Sequence, residues 1–227
     1  MNAAPRRLPV ATTTIIVITA IITGLQFFYP ALLPALDRNL PALQAGQWWR
    51  LITPRFVQPD IWPQYLLLAI LALVGPPVER RFGSLWWLLL WLVGGLTGEL
   101  VSFTWEPHGA GASVGIFGIM GAWLVLLIWH KREPAVIVAM VVFALIVNMI
   151  GLALSTPLVA AILAAGVASL INALLRPAAI WQRFAPWLGG AGLLGGLSLT
   201  LLRDQHGPPL LAGACVAGLL LYATGRR

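Results

Sequence analysis

Eight apolar runs dominate the sequence, and each is close to the length that an α-helix needs to cross a lipid bilayer. The hydrocarbon layer is about 30 Å thick, so a spanning helix needs about 20 predominantly apolar residues. The runs cover residues 9–28, 62–78, 84–105, 113–129, 135–153, 155–175, 187–202 and 208–224. Only 9% of the residues are charged, whereas soluble domains have about 25%. The sequence therefore predicts an all-α polytopic membrane protein and excludes a soluble domain.

The basic residues predict the orientation of these helices. Lys and Arg concentrate in short cytoplasmic loops. If the first run starts in the cytoplasm, ten of the 14 basic residues lie on that side: Arg6, Arg7, Arg80, Arg81, Lys131, Arg132, Arg176, Arg183, Arg226 and Arg227. We therefore expect both termini to be cytoplasmic, and the net charge of +7 needs no nucleic-acid partner. The excess of Arg over Lys, with abundant Ala, Gly and Leu, favours a bacterial plasma membrane.

Two connecting segments divide the chain. Residues 29–61 form a long loop that is apolar at helical spacing, with Arg and Trp interspersed, so we expect it to be partly helical and to lie in the outer membrane interface. Residues 177–186 contain two prolines and mark an internal boundary. The pattern predicts a membrane core of six helices over 1–176, followed by two additional transmembrane helices over 177–227.

A glycine-rich stretch, HGAGASVGIFGIMGAW (108–123), opens the fourth run and contains Ser113. Glycines at repeats of three or four residues let membrane helices approach closely. A serine here is a helix cap, a packing residue or a nucleophile. Its hydroxyl lies near unsatisfied backbone N–H groups and the positive end of the helix dipole, and both favour a developing oxyanion.

Three motifs in order carry a family resemblance: GQWWRLIT (46–53), GPPVERRFGS (75–84) and GASVGIFGIMGA (111–122). With these, the sequence resembles the rhomboid family of intramembrane serine proteases. The resemblance implies a six-helix bundle with Ser113 as the nucleophile, acting on transmembrane segments of client or substrate proteins among membrane lipids. The sequence has no metal or nucleotide motif, so we expect no cofactor and no metal. The resemblance also implies oxyanion or supporting positions at Gly111, Val114 and Gln64. The structural motif positions are Trp49, Arg50, Glu79, Arg80, Gly115 and Gly118.

The sequence departs from the family where the family has its other reactive side chains. The resemblance implies a His and an Asn on the second helix that help to bind the oxyanion, and these positions fall on Pro63 and Leu67, neither of which can donate a side-chain hydrogen bond. Gln64 lies one position away. The catalytic His expected on the sixth helix is replaced by Val159.

Two other histidines are candidates for the missing base. His206 begins HGPPLLAG (206–213), which has the family's spacing from the His to the following Leu-Ala-Gly, although two additional helices precede it. His108 lies five residues before Ser113 in a Gly-rich loop.

These departures leave more than one function open. We favour a rhomboid-like pseudoprotease that binds transmembrane helices of clients, because the base and both oxyanion side chains are missing together. The alternative is an active protease that uses Ser113 with His206. Glu99 is an acid within the third run and by default a functional candidate, but no continuous polar line supports a transporter.

Overall fold

The computed structural model describes residues 8–130, 136–174 and 178–224, and within these ranges the eight predicted helices are all present. The long helices are α1 (Val10–Phe28), α4 (Ile61–Phe82), α5 (Ser84–Trp105), α6 (Ser113–His130), α7 (Val136–Ala153), α8 (Pro157–Leu174), α9 (Ala178–Leu201) and α10 (Gly207–Ala223). Among the described residues, Val10–Phe28, Ser84–Trp105 and Arg183–Leu201 are long and apolar enough to cross a membrane, and four shorter apolar helices accompany them. The prediction of an all-α polytopic architecture is confirmed.

Two helices extend beyond their predicted bounds: the second is predicted to end at 78 and the seventh to begin at 187, after Pro186. α4 continues through Pro76 and Pro77 to Phe82, and ends at Gly83, whose φ of 85° few other residues adopt. α9 begins at Ala178, not at 187, and passes through Pro186. Membrane helices tolerate such prolines because neighbouring groups satisfy the freed backbone carbonyls.

The long loop between α1 and α4 contains short helical turns, as expected. They are α2 (Leu32–Leu36), α3 (Leu40–Gln44) and two 3-10 helices, Trp48–Leu51 and Thr53–Phe56. Between α2 and α3, the two-residue strand β1 (Arg38–Asn39) pairs antiparallel with β2 (His108–Gly109). This pairing fixes the loop beside the segment that leads into α6.

Buried arginines attach the long loop to α5. The Arg38 guanidinium lies 3.2 Å from the Glu99 carboxylate, and the two side chains are 2% and 1% exposed. Arg55 lies with its Cζ 5.0 Å from the centre of the Trp91 ring, and its burial lowers its pKa to about 10 although the charge of Glu99 opposes the shift. Because Glu99 forms the buried ion pair with Arg38, its carboxylate is part of the loop's attachment.

The central helix is α6, in which every residue from 114 to 124 is buried. It packs against α4, α5, α9 and α10, while α7 and α8 pack closely against each other. The last described helix is therefore in direct contact with the helix that carries Ser113. The division into a core over 1–176 and an addition over 177–227 stays a prediction; α10 packs against α5, α6 and α9.

Glycines allow α6 to lie against two neighbours at backbone contact. A Cβ built on Gly118 would lie 2.8 Å from the Cα of Gly94 in α5. A Cβ built on Gly213 of α10 would lie 2.7 Å from the carbonyl carbon of Gly118. These distances are too short for real side chains, so glycine at each position is a condition of this packing.

Glu79 joins three helices at the end of the bundle opposite Ser113. Its carboxylate accepts hydrogen bonds from the backbone N–H groups of Ala11 and Thr12 at 2.7 and 2.8 Å, and from the Ser84 hydroxyl at 2.7 Å. It therefore caps the first turn of α1, whose N–H groups have no acceptor within the helix. Its neighbour Arg80 is exposed.

Candidate active site

Ser113 and His206 lie at the N-terminal ends of two packed helices and are in hydrogen-bond contact. Ser113 is the first residue of α6, and His206 directly precedes α10. The Ser113 Oγ lies 2.9 Å from the His206 Nε2. A hydroxyl needs a base at this distance to act as a nucleophile.

The parallel packing of α6 and α10 produces this contact. Gly118, five residues after Ser113, lies against Gly213, seven residues after His206. The two helices therefore run in the same direction from the Ser–His pair, and the small residues hold their axes close. The helices α7 to α9, which separate the two residues in sequence, do not separate them in space.

Asp204 approaches the other side of the His206 ring. Its Oδ1 lies 2.7 Å from the ring Nδ1 and 2.8 Å from the backbone nitrogen of His206. Burial alone would raise the pKa of the Asp204 carboxyl, but the hydrogen bonds and charge of His206 lower it below its usual value. The His206 side chain is 11% exposed and that of Asp204 is 16% exposed, so both are largely but not fully removed from solvent.

The turn between α9 and α10 is held by further contacts. The Gln205 side chain pairs with the hydroxyl of Ser102 in α5, with 3.0 Å between the two oxygens. The Phe117 ring packs on the His206 ring with their centres 4.7 Å apart. Phe117 lies one helical turn after Ser113, so α6 carries Ser113 and also contacts the His206 ring.

The predicted oxyanion positions have different contacts. Gly111 adopts a φ of 141° and donates its N–H to the Pro54 carbonyl at 2.8 Å, so this N–H is already used. Gln64 is fully buried; its Oε1 accepts the Ala112 N–H at 3.1 Å, and its Nε2 donates to a loop carbonyl at 3.2 Å. Both residues therefore shape the segment that leads into Ser113. Val114 is buried in the first turn of α6, where N–H groups have no acceptor within the helix.

The remaining predicted residues have structural contacts. Arg50 donates to Asp37 Oδ1 at 2.6 Å and to the Pro34 carbonyl at 2.9 Å, so it organises the loop internally. Trp49 is half exposed, with its indole N–H 3.4 Å from the Ala35 carbonyl. A Cβ on Gly115 would meet the indole nitrogen of Trp91, and Gly118 lies at the crossings described above.

The two other positions considered for the base, His108 and Val159, lie in other elements of the structure. His108 is exposed in β2 and pairs with Asn39. Val159 lies in α8, which packs against α7. Sequence reasoning missed Asp204, although its position two residues before His206 was visible, and it missed Arg38 and Arg55, whose roles depend on contacts distant in sequence.

Comparison with known protein families finds a match to this chain. The family model described as "Rhomboid domain" matches residues 45–202, which is more than half of the chain. The matched region contains Ser113 and ends before Asp204 and His206. No solved structure gives a significant match.

The curated relatives match over shorter stretches. The chain is 42% identical over 90 residues to "Rhomboid protease GluP" of Bacillus subtilis, which is 38% of this chain and 17% of that protein. It is 39% identical over 85 residues to "RHOMBOID-like protein 9, chloroplastic" of Arabidopsis thaliana, covering 36% of this chain and 19% of that protein. It is 27% identical over 113 residues to "Putative rhomboid protease YdcA" of Bacillus subtilis, covering 46% and 57%. The chain thus spans about a fifth of the length of the first two.

Proposed function

This chain belongs to the rhomboid family of integral membrane proteins, and we propose that it is an active intramembrane serine endopeptidase with Ser113 as nucleophile and His206 as general base. One observation carries the proposal, the 2.9 Å contact between the Ser113 Oγ and the His206 Nε2. The sequence alone favours a pseudoprotease because the expected base and both oxyanion side chains are missing together, at Val159, Pro63 and Leu67. A different helix places a histidine at hydrogen-bond distance from Ser113, and this contact supports the active protease.

The contact supports a two-step reaction. In the first step, the Ser113 Oγ attacks a substrate carbonyl carbon while its proton passes to the His206 Nε2, and the carbonyl oxygen becomes an oxyanion. His206 then gives this proton to the leaving amine as the peptide bond breaks. In the second step, water activated by His206 hydrolyses the acyl ester and restores Ser113.

The first turn of α6 supplies the groups that stabilise the oxyanion. The N–H groups of Ser113 and Val114 lack acceptors within the helix and lie at its positive end. Donors fixed in this way contribute strongly because they need no rearrangement as charge develops. They stand in for the second-helix side chains that Pro63 and Leu67 cannot provide.

The location of the pair at the ends of two helices supports a membrane substrate. Ser113 and His206 are partly exposed, so water reaches the reacting atoms from the end of the bundle. We propose that this end lies on the outer side of the membrane, because the basic residues predict that both termini are cytoplasmic. The Arg-rich, Ala-, Gly- and Leu-rich composition favours a bacterial plasma membrane. The substrate is then the unwound end of a client's transmembrane segment.

Active-site labelling tests the proposal directly. Purified protein in detergent is treated with a fluorophosphonate probe, and cleavage of a transmembrane substrate is measured in liposomes. We expect labelling of the wild type, none of Ser113→Ala, and a loss of about 100-fold or more in His206→Ala, the lower range for removal of a general base.

Two matched variants serve as controls. Ser198 is exposed and its hydroxyl bonds only within its own helix, to the Leu194 carbonyl at 3.0 Å, so Ser198→Ala keeps full labelling. We expect His108→Ala to keep full activity, because His108 is exposed and its pairing with Asn39 in the two-residue strands uses the backbone and not the imidazole. A folded wild type that neither labels nor cleaves would overturn the proposal and favour a client-binding pseudoprotease.

A further inference from the structure

We propose that Asp204 is a positioning residue that completes a Ser113–His206–Asp204 triad. It holds the imidazole in its reactive tautomer and stabilises the imidazolium that forms. The inference rests on the proposed function, because it assigns a role in the same reaction. Neither the resemblance nor the matched region, which ends at residue 202, includes this carboxylate. The geometry of the α9–α10 turn is the basis of the assignment.

One carboxylate oxygen holds both the backbone and the ring of His206. The Asp204 Oδ1 lies 2.8 Å from the His206 backbone nitrogen and 2.7 Å from its Nδ1. A carboxylate only accepts hydrogen bonds, so the Nδ1 must carry the proton. In the neutral ring the Nε2 is then an acceptor, and it faces the Ser113 hydroxyl at 2.9 Å.

The turn also holds the carboxylate in position. The Asp204 N–H donates to the Leu199 carbonyl at 2.9 Å, and the Asp204 carbonyl accepts the Gly207 N–H at 3.3 Å. Arg203 takes up a left-handed conformation with φ of 57°, which turns the chain sharply after α9. Because both ends of Asp204 are bonded to helix termini, its side chain keeps a fixed direction towards His206.

The charge of Asp204 matters when the proton moves. During attack His206 becomes a cation, and the carboxylate next to its Nδ1 forms an ion pair with it. A hydrogen bond between two ionised groups is about twice as strong as one between neutral groups, so the carboxylate stabilises the imidazolium more than it stabilises the neutral ring. The lowered pKa of Asp204 keeps this carboxylate ionised at neutral pH.

If Asp204 acted only through its hydrogen bonds, removing its charge alone would not change the rate. The Asp204→Asn variant separates this structural role from the electrostatic role proposed above. The amide oxygen of Asn can accept from both N–H groups of His206, while its NH₂ group would face two donors in the reverse orientation. Asp204→Asn therefore keeps both hydrogen bonds and removes only the charge. Asp204→Ala removes the hydrogen bonds as well.

The test compares these two variants with Gln205→Ala in the protein reconstituted in liposomes. Gln205 contacts Ser102 from the same turn but not His206, so its variant controls for loosening of the turn. We expect kcat to fall about 10-fold in Asp204→Asn and about 100-fold in Asp204→Ala, with KM unchanged in both. Gln205→Ala should keep kcat near the wild-type value.

Nitrogen-15 NMR of histidine-labelled protein at pH 8 gives a readout that does not depend on proteolysis. The chain has three histidines, so the His206 signals are assigned from their absence in His206→Ala. We expect the Nδ1–H tautomer in the wild type and Asp204→Asn, and its loss in Asp204→Ala.

Failure of the inference and of the proposed function are distinguishable. Wild-type kcat in Asp204→Asn, or the Nε2–H tautomer in the wild type, would overturn the role of Asp204 while leaving an active Ser–His pair. An inactive wild type that nevertheless has the Nδ1–H tautomer, lost in Asp204→Ala, would overturn the proposed function but support the positioning by Asp204.

Discussion

Replacing Gly213 with Ala should open the Ser113–His206 contact without touching either residue. A Cβ at position 213 would lie 2.7 Å from the carbonyl carbon of Gly118 and 2.8 Å from its Cα, and closer still to its carbonyl oxygen. Carbon atoms in contact prefer about 3.5–4.0 Å. Backbone atoms of α6 cannot rotate away as a side chain can, so α10 must move outwards by about 1 Å.

The cost of this movement falls on activity more than on folding. Overpacking destabilises by about 1–3 kcal/mol, and the better helix propensity of Ala returns up to about 1 kcal/mol. A shift of about 1 Å lengthens the contact between the Ser113 Oγ and the His206 Nε2 from 2.9 Å to about 3.9 Å, beyond hydrogen-bond range. A misplacement of this size typically lowers the rate about 100-fold.

Gly218 provides the matched control on the same helix. A Cβ built at this position has no atom within 4 Å, so Gly218→Ala gains helix propensity without a steric conflict. Cleavage in liposomes and fluorophosphonate labelling should fall about 100-fold in Gly213→Ala and stay unchanged in Gly218→Ala. Equal activity in the two variants would refute the link between this helix crossing and the geometry of the site.

The contacts around the site predict three other effects. Gln64→Ala leaves the buried Ala112 N–H without its acceptor, so we expect a loss of about 1–3 kcal/mol in unfolding free energy and slower labelling of Ser113. Glu99→Gln breaks a buried ion pair with Arg38, which costs about 3–5 kcal/mol and should lower the thermal unfolding temperature in detergent. The pKa of Asp204 is lowered in the folded protein, so the ionised carboxylate stabilises the fold. This stability is fully present above the ordinary pKa of about 3.9. It is lost as the pH falls through the lower pKa of the folded protein. The difference in unfolding temperature between wild type and Asp204→Asn should therefore shrink as the pH falls below about 4.

Much of the helical architecture could be predicted because a bilayer imposes its thickness on the sequence. Each apolar run became one helix, since backbone groups in hydrocarbon must bond within their own segment. The errors lie at prolines. Pro186 looked like a boundary, but α9 passes through it from Ala178, because proline ends helices far less strictly inside a helical bundle than in water.

The Ser–His pair was only partly visible in the sequence. The spacing after His206 indicated a second helix of small residues, but counting helices argued against contact with Ser113, because α7 to α9 lie between them in the chain. That argument treats order in sequence as order in space. The backbone contact of Gly118 with Gly213 is a property of two distant segments together, so neither segment reveals it alone.

The contacts of the charged residues could not be predicted from the sequence either. Arg50 lies within a recognisable motif, yet its partners lie within its own loop, whereas Arg38 lies in no motif and forms the buried pair with Glu99. An arginine's partner is fixed by tertiary packing and not by its sequence neighbours. Asp204 escaped notice for a related reason, since an acid in a short turn is an ordinary turn residue until a histidine ring lies against it.

The separation of Ser113 and His206 along the chain also orders events during synthesis. The two residues are 93 positions apart, so at about 5–20 residues per second the ribosome needs roughly 5 to 20 s to make the base after the nucleophile. Throughout that interval α6 enters the membrane with an unactivated hydroxyl. On the proposed function, the nascent protein lacks the base that cleavage of neighbouring helices requires until α10 packs into place beside α6.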